Sequence, residues 1–160
     1  MNAEARLEQL GIELPPAPKP LGAYRPMVLV GNLAYLSGHV PMHPDGTLIR
    51  GRVGPDLDEH AARDAARAVG LAVLATLRSE LGTLDRVKRL VKTFGMVNAA
   101  PDFEAHPAVV NGFSELMVDV FGSERGTGAR SVAGTSSLPA NIPVEIDAIF
   151  EIFLLDVSSA

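Results

Sequence analysis

The sequence predicts one α+β domain in which a mixed sheet carries two helices on one face. Three observations lead there. The patterned segments follow the order β-β-α-β-α-β-β, which is compatible with helices layered on a single sheet. A chain of 160 residues that is 47% hydrophobic is enough for one core and too short for two ordinary domains. The last segment alternates Val144, Ile146, Ala148, Phe150 and Ile152 on one side with Glu145, Asp147, Ile149, Glu151 and Phe153 on the other. That second side mixes acids with large apolar groups, as a face covered by another subunit does.

Each element has its own local reason. Ala3 to Leu10 is suited to a short helix, and Pro15, Pro16, Pro18 and Pro20 then impose an extended arm. Residues 1–20 are therefore read as a helix and proline-rich arm ahead of a domain spanning residues 21–155. MVLV and LAYLSG, joined by Gly31-Asn32, form a hairpin. A loop dense in proline and glycine follows through Pro55. Asp58 caps a long helix in which Ala62, Ala65, Ala66, Val69, Ala72, Val73, Thr76 and Leu77 recur at helical spacing before Gly82. Its small-residue face predicts close packing on the sheet. Val87 to Val97 is a strand. Asp102 is the expected cap of a second helix, broken near Pro107 and running from about Ala108 to Phe121 before Gly122. Strands at Ala129 to Thr135 and Val144 to Leu154 complete the pattern.

Composition excludes several classes. The chain has no cysteine, hence no disulfide framework, thiolate metal site or cysteine nucleophile, which fits a cytosolic protein. Charges among the first ten residues interrupt any signal-like apolar segment, and no apolar run is long enough to span a bilayer. A cytoplasmic location without membrane association is expected. Net charge is −5, tryptophan is absent and aromatics make up 5%, so nucleic acid is not expected as a partner. The one basic group, Arg86, Lys88, Arg89 and Lys92, alternates with Val87, Leu90 and Val91 and is read as a solvated face. His39, His43, His60 and His106 lack ligand spacing, so no metal is expected. Ser37 lies in LSGHV rather than a nucleophile elbow.

Two segments carry candidate chemistry. Gly126-Thr127-Gly128-Ala129-Arg130-Ser131 sets an arginine at the start of a strand, and its planar fork suits a carboxylate. Leu138-Pro139 to Val144-Glu145 turns the chain so that the last strand runs antiparallel to the one holding Arg130, which is expected to bring Glu145 near it. A carboxylate there can orient water and move a proton. Without other information, a structural ion pair for Arg130 and a solvent-facing role for Glu145 stand beside these readings.

Gly22-Ala23-Tyr24, Ser37-Gly38-His39-Val40-Pro41, Val91-Lys92-Thr93, Asn111, Ala129-Arg130-Ser131, Leu138-Pro139 and Val144-Glu145-Ile146, taken in order, resemble the RidA/YjgF family. The matches run from about residue 21 to 153. The resemblance implies a chorismate-mutase-like fold and a homotrimer with a barrel-like core and clefts between subunits. It implies no cofactor. In deaminating members, which hydrolyse reactive enamines and imines to 2-keto acids and ammonia, the residue matching Arg130 binds the substrate carboxylate. The residue matching Glu145 positions water, the backbone matching Gly38 contacts the ligand, and Tyr24 and Asn111 match cleft residues. His39 stands where glutamine is usual and Val132 where cysteine is common, so both are counted among the substrate-binding positions. The alternative is a non-catalytic module that binds or senses a small carboxylate on the same scaffold. Ribonuclease activity, also attributed to the family, is disfavoured by the acidic balance and sparse aromatics.

Overall fold

A computed structural model describes residues 1–155. Helix α1 spans Ala3–Leu10, followed by strands β1 (Met27–Val30) and β2 (Leu33–His39), helix α2 (Glu59–Leu81) and strand β3 (Val87–Asn98). Helix α3 (His106–Phe121), a single turn α4 (Ser123–Gly126), and strands β4 (Ala129–Thr135) and β5 (Val144–Ile152) follow. Short 3₁₀ turns at Leu84–Arg86 and Pro139–Asn141 lead into β3 and β5.

The five strands form one sheet in the order β1-β2-β5-β3-β4. All neighbours are antiparallel except β3 and β4, which run parallel because α3 carries the chain back between them. The last strand thus sits in the centre, and the alternation seen in its sequence separates two faces. Val144, Ile146, Ala148, Phe150 and Ile152 are buried with α2 and α3 in the core. Glu145, Asp147, Ile149 and Glu151 point to the open face and are only partly buried. Across that face the pairing register sets Val28 beside Tyr35 and Tyr35 beside Ile149, with Val28 48% and Tyr35 42% exposed.

Asp58 caps α2 as expected, its side chain accepting from the Ala61 N–H at 2.7 Å. The small residues of the two long helices bring them against each other as well as against the sheet. A Cβ on Gly70 would press on Leu116, and one on Gly112 would collide with the Arg63 carbonyl. Asp102 does not cap α3. That helix starts at His106 with Ala105 in the N-cap position, and Pro107 lies within its first turn, where its missing N–H costs nothing, so there is no break. The final strand ends at Ile152, two residues before the expected boundary.

The N-terminal helix packs on the domain. Ala3 and Leu7 are buried in the common core, Glu4 pairs with Arg78, and the Arg6 Nε–H donates to the Asp119 carbonyl at 2.8 Å. In the basic group at β3, Lys88 and Arg89 are exposed while Arg86 and Lys92 are partly buried, with Lys88 bound to Glu151 and Lys92 donating to the Ser131 hydroxyl. No helix among the described residues is long and apolar enough to cross a membrane.

Candidate functional site

Arg130 and Glu145 do not meet within one chain. Arg130 pairs with Thr93 on β3, while Glu145 pairs with Met96 on the other side of that strand. Strand β3 therefore lies between them. Three residues of rise and two inter-strand steps put their Cα atoms roughly 14 Å apart. The side chains also leave the sheet in opposite directions, Arg130 toward α3 and Glu145 toward the open face. The sequence correctly implied opposed strand directions, but it did not reveal the intervening strand or the difference in face.

On the helix side, Asn111 and Ser114 project from successive turns of α3 onto Arg130. The Arg130 Nη1–H donates to Asn111 Oδ1 at 2.7 Å and to Ser114 Oγ at 3.2 Å. Among the described residues no carboxylate pairs with this guanidinium, which differs from the structural ion pair considered above. It borders a cavity of about 280 Å³ whose wall includes Thr93 and the Gly126-Thr127-Gly128 backbone. A charged fork held by neutral oxygens, with further N–H groups to donate, is suited to an anion. Ser114 was not singled out in the sequence, although its position three residues after Asn111 puts both on one helix face.

On the open side, Glu145 lies over Gly38. A Cβ on that glycine would stand 2.7 Å from Glu145 Oε1, so only glycine admits the carboxylate there. The approach is made at a bulge: Leu36 pairs with Ala148 and His39 with Ile146, leaving one extra residue in β2 around Ser37-Gly38. Burial, followed by the nearby Asp147 charge, pushes the Glu145 carboxyl above the usual carboxylate range. Tyr24, 51% exposed, Gly38, His39 and Glu145 share a larger open cavity of about 800 Å³ with apolar walls that include Leu21, Met42, Leu48 and Ile142.

His39 borders this cavity, but its ring turns into the core at 4% exposure. Nδ1 is 2.7 Å from the Ser37 carbonyl and Nε2 is 2.8 Å from Thr76 Oγ1. A carbonyl only accepts, so Nδ1 carries the proton and Nε2 accepts from the threonine hydroxyl. Burial lowers the pKa below the ordinary histidine value of 6.5 and keeps the ring neutral, with the Ser37 bond opposing. The imidazole thus pins the bulge to α2. Val132 is partly buried against the core and borders neither cavity. Among the described residues no cluster of three or more metal-ligating side chains forms.

The wall of the larger cavity includes a strained turn. Ala140 and Asn141 both take positive φ, +55° and +56°, a region costly for alanine. The long loop after β2 holds it in place. The Gly51 N–H donates to the Asn141 carbonyl at 2.7 Å, and Arg50 donates to the Ala140 carbonyl at 2.9 Å. Asn98, 1% exposed, donates to Asn141 Oδ1 and the Ile142 carbonyl while accepting from Arg52 Nε.

A central β5 flanked by β2 and β3, with two long helices on one face, is the architecture of YjgF/chorismate mutase-like proteins. The family model described as "YjgF/chorismate_mutase-like, putative endoribonuclease" matches residues 4–151, and the chain belongs to this family. It is 40% identical to protein TCP17 of Trypanosoma cruzi over 92% of both chains. It is 32% identical to a 2-iminobutanoate/2-iminopropanoate deaminase of Dermatophagoides farinae, over 86% of this chain and 92% of that one. A crystal structure of a protein of unknown function from Agrobacterium tumefaciens superposes with a TM-score of 0.84 at 39% identity, covering 94% of each chain. The resemblance seen in the sequence is thus borne out at the level of family and fold.

Proposed function

We propose that this protein hydrolyses small enamine and imine carboxylates to 2-keto acids and ammonia, in clefts formed between the subunits of a homotrimer. The observation that carries the reading is the separation of Arg130 and Glu145 onto opposite faces of one sheet, each at its own cavity. A cation suited to a carboxylate and a carboxylate suited to water each occupy half a site. Abutting the Arg130 side of one subunit against the Glu145 side of the next completes it. The row of exposed Val28 and Tyr35 with partly buried Ile149 gives such an assembly an apolar surface to bury. The deaminase among the relatives supports the choice of chemistry. The lack of cysteine suits a reducing cytoplasm.

The reaction asks little of the protein beyond position and one proton carrier. Arg130 grips the substrate carboxylate, with Asn111 and Ser114 fixing the plane of the fork. The enamine tautomerises to the imine, whose carbon is electrophilic. Glu145 takes a proton from water as the oxygen bonds to that carbon and passes it to the imine nitrogen, giving a carbinolamine. Glu145 then takes the hydroxyl proton and hands it to the amine nitrogen, so that the C–N bond breaks, ammonia leaves and the carbonyl forms. A carboxyl raised by burial is a stronger base than an ordinary glutamate once ionised, which suits this role.

The test is ammonia and keto-acid release from 2-iminopropanoate generated in situ, compared with unaided hydrolysis. The native protein is expected to accelerate the reaction, and Arg130→Ala to lose at least about a hundredfold, in line with removal of a partly buried charged clamp. An unchanged rate in that variant would overturn the assignment. Keto-acid binding by the native protein with no acceleration would leave the scaffold as a binding module.

A further inference from the structure

We infer that Thr93 is a second carboxylate-binding residue, acting beside Arg130. This rests on the reading of the Arg130 cavity as the carboxylate end of the site. Thr93 is 1% exposed, and its Oγ1 is a buried side-chain polar atom with no hydrogen-bond partner among the described residues. Such a group is costly, and it is ordinarily satisfied in a folded protein unless something outside the chain completes it. Its position points to what that is. Thr93 and Arg130 are direct partners in the parallel pairing of β3 with β4, so their side chains leave the same face about 5 Å apart. The residue paired with Thr93 on its other side is Ala148, which is too small to screen the hydroxyl and has no side-chain polar atom.

Thr93 borders the same cavity as Arg130, Asn111 and Ser114. The donor inventory there is one-sided. Asn111 Oδ1 and Ser114 Oγ already accept from Arg130, which leaves the Ser114 hydroxyl proton free to be given. Thr93 brings another hydroxyl proton, and the guanidinium has further N–H groups with no protein acceptor among the described residues. A ligand filling this space must accept several hydrogen bonds at once and carry negative charge. A carboxylate meets both demands, one oxygen facing the guanidinium and the other the Thr93 hydroxyl.

Thr93→Val is the informative change, because it keeps the shape and deletes only the hydroxyl. Pyruvate, the keto-acid product of 2-iminopropanoate, serves as the probe, titrated calorimetrically against the native full-length protein, Thr93→Val, Thr93→Ser and Arg130→Ala. Thr93→Val is expected to weaken pyruvate binding about tenfold or more and to raise KM for 2-iminopropanoate, as loss of a hydrogen bond to a charged group does. Its melting temperature without ligand should equal or exceed that of the native protein, since an unpartnered buried hydroxyl has been removed. Thr93→Ser should restore most of the affinity. Native affinity in Thr93→Val alongside lost affinity in Arg130→Ala would overturn the Thr93 assignment and leave the Arg130 site intact. A fall in affinity accompanied by a fall in melting temperature and not rescued by serine would assign Thr93 to packing and also overturn it. Failure of the native protein either to bind pyruvate or to accelerate imine hydrolysis would remove both readings together.

Discussion

Glu145 is a side chain through which stability and the proposed activity are linked. Its carboxyl is raised because burial disfavours the charge and Asp147 adds repulsion. The sign of the linkage follows. A carboxyl with a higher pKa in the folded than in the unfolded state is penalised when ionised, so its contribution is most favourable below the ordinary value of 4.5 and is lost as pH rises through the folded value. Glu145→Gln should therefore melt higher than the native protein at pH 7, with the gap closing as pH falls toward 4.5. Turnover by the same variant should be lost. Thermal melts across pH check the first half, and a variant that melts lower at pH 7 would contradict it. The sequence identified Arg130, Glu145, Gly38, Tyr24 and Asn111 as residues worth attention, and the two cavities contain all five. It gave no sign that the His39 ring turns into the core, because the side to which a residue turns beside a bulge depends on the partner strand, while Val132, in the regular pairing of β4 with β3, borders neither cavity. Local spacing cannot report that.

At the scale of elements, the closest tolerances lie between α2 and α3. Gly112 leaves no room for a methyl group against the Arg63 backbone, and the neighbouring Gly70 is filled over by Leu116, Phe113 and Met117. Gly112→Ala must push the helices apart, at a cost of about 3 kcal/mol or more. Because Asn111 and Ser114 are on the displaced helix, the Arg130 cavity should loosen as well. Chemical denaturation of the variant checks the cost, and native stability would show that the helices separate freely. Helix α2 was legible from end to end through its Asp58 cap, small-residue period and Gly82 stop. The beginning of α3 was not. Asp102 resembles a cap in sequence, yet Pro107 fits the first helical turn, where its ring is harmless, so the helix begins at His106. Nor did the proline-rich arm reveal that the helix before it is docked. That depends on Glu4 meeting Arg78 and the Leu84 N–H, partners distant in sequence.

At the scale of the whole molecule, the sheet separates the two candidate groups. Its helix face organises Arg130, and its open face presents Glu145 above the Gly38 bulge. Family and fold were legible because their signature is spread through the chain as ordered short motifs, and strand alternation exposed the two-sided character of β5. Strand order was not legible, since β5 inserts between β2 and β3 through pairings that no local pattern encodes. That order puts Arg130 and Glu145 on opposite faces of a single chain, and it is the basis for expecting subunits to share the proposed site. Complementation tests this directly. Arg130→Ala and Glu145→Gln subunits, each inactive alone, are co-expressed with different tags, and the mixed oligomers are assayed for 2-iminopropanoate hydrolysis. If the two groups come from adjacent subunits of a trimer, each mixed trimer holds one interface with both groups intact. The mixed trimers should then show about one third of native activity, one intact site in three. Mixed trimers as inactive as either parent would contradict the shared site.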